Sequence, residues 1–166
     1  MMMIDDMTLE KAVKLAIATE KAGADFYADL EKKFAYEDDL KNTFAQLVVD
    51  ERAHEAQFKR LLEIVPKDED KSGKEDDYAF LTATASSTFF QGDVLKQVDQ
   101  IKDVTDALGT ALAFEKSTLQ YYTSIRDVLG DNEALNEIIE AERQHVLALM
   151  KVILADAKFR GVNYQW

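Results

Sequence analysis

Apolar residues recur three and four positions apart along four long stretches of the chain, the spacing of amphipathic helices that bury one face. The first runs from about Leu9 to Phe34, after a cap at Asp6 or Thr8, and its inner stripe reads Val13, Ala16, Ile17, Glu20, Ala24, Tyr27. The second runs from about Leu40 to Ile64, with Asp38-Asp39 as its cap and Phe44, Leu47, Glu51, His54, Phe58 and Leu61 on one face. Pro66 ends it, because proline disfavours helical geometry at the preceding Val65. The third, about Val104 to Leu129, carries Leu108, Ala111, Leu112, Glu115, Leu119 and Tyr122, and Gly130 is placed to stop it. Asp131 or Asn132 then caps a fourth, about Glu133 to Lys158, with Leu135, Ile138, Glu142, His145, Leu149, Val152 and Ile153 facing inward. Gly161 closes that helix, and Phe159 and Trp166 are expected to pack the tail down.

The middle of the chain breaks this pattern. Residues 66–78 are polar and charged and read as an exposed loop, and 79–92, rich in Thr, Ser, Phe and Ala, as a crossover with a short helix. Phe80, Phe89 and Phe90 are expected to cover a hydrophobic surface, with a further short helical piece over 93–101. The architecture that follows is an all-α four-helix bundle with a long crossover between helices 2 and 3, in one domain spanning 1–166.

Polar residues inside the stripes carry the chemistry. Glu51 and His54 stand three positions apart and project from one face of a helix, and Glu142 and His145 repeat the spacing with the only other histidine. Glu20 and Glu115 interrupt the other two stripes, and Glu20-Lys21 leads to Phe26-Tyr27 as Glu115-Lys116 leads to Tyr121-Tyr122. The chain thus repeats a unit, helix with Glu then helix with Glu-x-x-His, and implies a pseudo-two-fold axis through a shared centre. Buried carboxylates and imidazoles in an oily stripe are costly unless something offsets their desolvation and mutual repulsion, and metal ions do both. One Glu from each of two helices, with Glu-x-x-His from each of the other two, is the di-metal pattern of four-helix bundles. The mixed oxygen and nitrogen set suits iron or manganese; zinc fits without redox chemistry. Tyr27 and Tyr122, two turns past Glu20 and Glu115, are core aromatics or hydroxyls that hold a ligand carboxylate. Gly23 and Ala24 let helices approach closely or leave room for a small oxidant, and Glu55 and Glu140 are solvated.

Composition narrows the field. The absence of cysteine removes disulfides, iron–sulfur clusters and thiolate metal sites, and one proline with six glycines favours long helices. A formal charge of −12 with no basic patch argues against nucleic acid, and bound cations would cancel part of it. The first residues lack a basic signal-peptide start, and no run approaches the roughly 20 apolar residues that span a bilayer. A soluble, cytoplasmic protein is expected.

Residues 20–27, Asp50-Glu51-Arg52-Ala53-His54, Phe114-Glu115-Lys116 and Glu142-Arg143-Gln144-His145 together resemble the rubrerythrin branch of the ferritin-like superfamily, over all four long helices. The resemblance implies a non-haem di-iron centre held by Glu20, Glu51, His54, Glu115, Glu142 and His145, with Tyr27 and Tyr122 behind the ligands. It implies reduction of hydrogen peroxide in a microbial cytoplasm, and a homodimer is expected, since family members commonly pair and the Phe-rich crossover offers an apolar surface. Two departures stand out. Full rubrerythrins carry a rubredoxin domain with four cysteines, so here electrons are expected from a separate, rubredoxin-type donor. They also carry a further Glu one turn after the third-helix ligand, which lets an iron change ligands on oxidation; this chain has Thr118 there. Three readings follow: a peroxide- or dioxygen-reducing oxidoreductase, an iron-binding or ferroxidase protein without substrate turnover, and a di-manganese, catalase-like enzyme.

Overall fold

The structure is a computed structural model and describes residues 7–159 and 161. Among the described residues five α-helices follow one another: α1 (Leu9–Lys33), α2 (Asp38–Ile64), α3 (Glu75–Leu95), α4 (Val104–Leu129) and α5 (Glu133–Phe159), with a 3-10 turn at Val98–Gln100 before α4. No strand occurs among the described residues. The all-α bundle with a long crossover between its second and third long helices is therefore present, and the crossover holds a full helix.

Local chemistry accounts for the ends. The Thr8 hydroxyl accepts the Lys11 N–H at 3.1 Å and starts α1; Asp6 lies outside the described residues. Asp38 and Asp39 sit in the first turn of α2 rather than before it, and the N-cap, Glu37, makes no side-chain cap bond. Their carboxylates act on the positive end of the helix dipole instead. Val65 is extended (φ −65°, ψ 142°) ahead of Pro66. Gly130 takes φ +94°, a left-handed conformation that only glycine adopts cheaply, and the Asn132 carboxamide oxygen accepts the Leu135 N–H at 3.0 Å to start α5. The loop before α3 is shorter than expected and is tied down. Glu69 takes the Leu9 N–H on both carboxylate oxygens, at 2.9 and 3.0 Å, and accepts the Tyr78 hydroxyl.

α3 is the largest departure from expectation, running from Glu75 to Leu95 where the sequence pattern predicts a crossover with a short helix in 79–92 and a further short helical piece over 93–101. Phe80, Phe89 and Phe90 point outward, Phe90 being 68% exposed, and do not cover the bundle. The buried face is Tyr78, Leu81, Thr82, Thr84, Ala85, Thr88 and Leu95. Its hydroxyls satisfy themselves: Thr82 donates to the Tyr78 carbonyl at 2.8 Å and Thr88 to that of Thr84 at 2.9 Å. Thr84 and Ser124 hydroxyls meet at 2.7 Å, and Thr88 and Ser117 at 3.0 Å, so α3 docks on α4 through small hydroxyl side chains.

α1 packs chiefly on α2, and α4 on α5, while α3 lies across α1 and α4; α2 and α5 touch only lightly. Two apolar layers result. One gathers Val13, Ala16, Phe58, Leu61, Tyr122, Ile125, Leu135 and Ile138, with Leu81 of α3. The other gathers Phe26, Tyr27, Leu30, Phe44, Leu47, Leu108, Phe114 and Leu149, with Leu95 of α3. The interrupting Glu and His residues fall between these layers along each helix. Phe159, at 92% exposed, does not pack the tail down, and Trp166 lies outside the described residues.

Candidate metal centre

Each of the four long helices projects its interrupting residues into the same mid-bundle layer. Glu20 comes from α1, Glu51 and His54 from α2, Glu115 from α4, and Glu142 and His145 from α5. All four carboxylates are fully buried and both imidazoles are 5% exposed. Their ligand atoms form two groups, Glu20, Glu51, His54, Glu142 and Glu51, Glu115, Glu142, His145, with the atoms of each group within 4.8 Å of one another. Glu51 and Glu142 belong to both groups, so the helix pairs meet through two shared carboxylates.

The imidazoles turn Nδ1 toward this cluster. His54 Nδ1 lies 2.8 Å from Glu142 Oε1 and 3.4 Å from Glu20 Oε2. His145 Nδ1 lies 3.2 Å from Glu115 Oε2 and 3.3 Å from Glu51 Oε1, and the two rings stack with centroids 5.5 Å apart. On its outer side His145 Nε2 meets Asp50 Oδ2 at 3.3 Å. Tyr27 donates its hydroxyl to Glu115 Oε1, whereas the Tyr122 hydroxyl is buried without a hydrogen-bond partner. Both expected tyrosines therefore reach the site's neighbourhood, and only one of them holds a carboxylate. Gly23 is a close-approach residue: a Cβ there would stand 2.8 Å from Glu51 Oε2 and 2.9 Å from Phe114 Cε1.

Two contributors carry no role in the sequence pattern. Thr118, notable in the sequence only for the carboxylate it replaces, donates its hydroxyl to Glu142 Oε2 at 2.8 Å and is fully buried. Its position one turn beyond Glu115, on the inward face, is the signal that could have found it. Asp50 offers less, since it is half-exposed and its link to His145 crosses between helices.

The electrostatics are those of a cluster short of positive charge. Burial raises the carboxyls of Glu20 and Glu51, with further upward pushes from Glu142 on Glu20 and from Glu20 and Glu115 on Glu51. Glu142 is raised to about 7, by burial first and then by Glu115. Burial alone would lower the imidazoles, but the adjoining Glu142 and Glu20 carboxylates carry His54 up to about 10, and Glu115 carries His145 up to about 9. Burial, then Glu115, drives the Tyr27 hydroxyl far up, so it stays a donor. In the absence of other cations, protons must supply the balancing charge. Both oxygens of Glu20, both of Glu51 and Oε1 of Glu142 are buried without a hydrogen-bond donor. Such atoms are rare in folded proteins, and cations are their natural complement.

A cleft of about 680 Å³ opens between α2 and α5 over the two imidazoles, lined by Asp50, His54, Arg60, Glu137, Ala141 and His145 among others. It is the open approach to the centre.

Fold and site together define a helical bundle with buried Glu/His groups that can hold metal ions. The rubrerythrin family model matches residues 11–153, most of the chain, and the protein belongs to the rubrerythrin family. No curated protein and no solved structure matches it.

Proposed function

We propose that this protein is a non-haem di-iron oxidoreductase that reduces hydrogen peroxide, or dioxygen, with electrons from a separate donor protein. The carrying observation is the pair of overlapping ligand groups with their unpartnered carboxylate oxygens. The residues fit two divalent ions: four carboxylates bring four negative charges, and hard oxygen with imidazole donors suits iron. Glu20 with His54, and Glu115 with His145, would each serve one position, and Glu51 and Glu142 both. Two ferrous ions held there would supply the two electrons that, with two protons, turn hydrogen peroxide into two waters.

The chain's own groups prepare that chemistry. Tyr27 fixes Glu115 by donating its hydroxyl, and Thr118 fixes Glu142. The apolar layers above and below exclude bulk water, and the cleft between α2 and α5 leaves a path for a small polar reactant. No described helix is long and apolar enough to cross a membrane.

The test is anaerobic loading of metal-free protein with ferrous iron, then mixing with peroxide or with air. Two irons per chain and oxidation faster with peroxide are expected; oxidation no faster than in air would remove the peroxidase reading. Thr118 favours a second reading, iron binding or ferroxidase action without substrate turnover, because a hydroxyl that fixes Glu142 supports a constant ligand set. Sizing separates the two: a dimer is expected, and only a large cage could store mineral. A di-manganese, catalase-like enzyme would instead evolve dioxygen from peroxide with no donor, once loaded with manganese.

A further inference from the structure

The internal repeat allows the two halves of the centre to be compared residue by residue. Glu20 corresponds to Glu115, Tyr27 to Tyr122, Glu51 to Glu142 and His54 to His145. The ligands obey this symmetry; the residues behind them do not. On one half, Tyr27 donates to Glu115 and Asp50 meets Nε2 of His145. On the other, the Tyr122 hydroxyl faces Glu20 but does not close a well-formed hydrogen bond to it. The counterpart of Asp50, the residue just before Glu142, is Ala141. Among the described residues no carboxylate lies within ion-pairing distance of Nε2 of His54, whose contacts to Glu20 and Glu142 both run through Nδ1.

We infer that the two metal positions are unequal, a tight one at Glu115–His145 organised by Asp50 and Tyr27, and a weak one at Glu20–His54 that Ala141 leaves without outer support. This inference rests on the two-metal reading above. A carboxylate on the outer nitrogen of a ligating imidazole fixes its tautomer, aims its other nitrogen at the metal and raises its basicity. His145 has that partner, and its Nδ1 already points at Glu51 and Glu115. His54 has a methyl group in the equivalent place, at the wall of the open cleft. Asp50 is thus a positioning residue for one ion only, and the weak position is the one that would fill last and empty first.

Calorimetric and optical titration of the metal-free protein with Co²⁺, without oxygen, tests this. The wild type should take up two ions in two resolved steps, with the first assigned by variants: His145→Ala should abolish the tight step and His54→Ala the weak one. Asp50→Ala should weaken the tight step by about 10- to 100-fold and leave the weak step in place. Asp50→Asn, whose carboxamide oxygen can still accept from Nε2–H, should recover most of that loss, which a merely structural role would not predict. Ala141→Asp should tighten the weak step, bringing the two together. Repulsion between two cations would split the steps by itself, but it would not make Asp50→Ala act on one of them. Equal effects of Asp50→Ala on both steps, or none on either, would overturn the inference while leaving a two-metal site intact. Failure to take up any ion would instead overturn the metal-centre reading, and the inference with it.

Discussion

At the scale of single residues, the centre is shaped as much by what is small as by what ligates. Gly23 leaves a notch that the Glu51 carboxylate and the Phe114 ring fill. Alanine normally stabilises a helix interior relative to glycine by about 1 kcal/mol. At this position the added methyl would press on a carboxylate and on a fully buried ring with nowhere to go. Overpacking of that kind costs about 1–3 kcal/mol and outweighs the gain. Gly23→Ala is therefore expected to lower the denaturant midpoint of the metal-free protein and reduce its metal content. An unchanged midpoint with full loading would show that Glu51 can move aside freely. Thr118 gives the complementary case. Thr118→Val keeps the shape and removes the hydroxyl from Glu142 Oε2, leaving another buried oxygen without a donor. A loss of about 1–3 kcal/mol is expected, with Thr118→Ser close to wild type; equal losses in both variants would point to packing of the methyl group instead. The six buried Glu and His positions of the centre are legible in the sequence alone, because Glu and His break apolar stripes at matching places in two copies of one unit. Asp50 is not, since a half-exposed acidic residue on a helix is ordinary, and only the approach of α5 brings it to His145.

At the scale of elements, α4 begins and ends where the periodicity and its flanking residues place it, and α2 and α5 differ by a residue or two at their ends. α3 escapes the apolar pattern for a physical reason. The usual rule puts large apolar residues inward, and here the inward face is rich in threonine, whose hydroxyls bond back to carbonyls of their own helix or across to α4. The phenylalanines face outward as a consequence. Side-chain size therefore mispredicts importance to the chain's own stability. Leu81→Ala, although the smaller truncation, should destabilise the fold by about 2–5 kcal/mol, because Leu81 is fully buried in the layer that α3 shares with α1 and α4. Phe90→Ser should leave helix content and metal loading intact. If two copies pair through the exposed phenylalanines of α3, the same substitution should shift elution toward the monomer. A wild-type-like elution profile for Phe90→Ser would take that residue out of the pairing surface.

At the scale of the whole molecule, the bundle stores a charge imbalance between its two apolar layers, and pH should expose it. The folded-state values of Glu20, Glu51 and Glu142 lie above those of free carboxyls, Glu142 reaching about 7. Those of His54 and His145 lie above that of free imidazole, at about 10 and about 9. In every case the folded protein holds protons that the unfolded chain releases at lower pH, so stability falls as pH rises through the window between the two values. The contribution of Glu142 is complete below its unfolded value of 4.5 and lost by about 7, and those of the imidazoles are complete below 6.5 and lost by about 9 to 10. The metal-free protein is thus expected to melt at progressively lower temperature from about pH 5 to about pH 9. Metal ions compete with the same protons, so loading should release protons and become stronger as pH rises. The loaded protein should accordingly show a flatter melting profile across that range, and its advantage over the metal-free form should widen toward alkaline pH. Parallel melting curves for the two forms, offset by a constant amount, would mean that the bound ions do not replace the protons of this cluster.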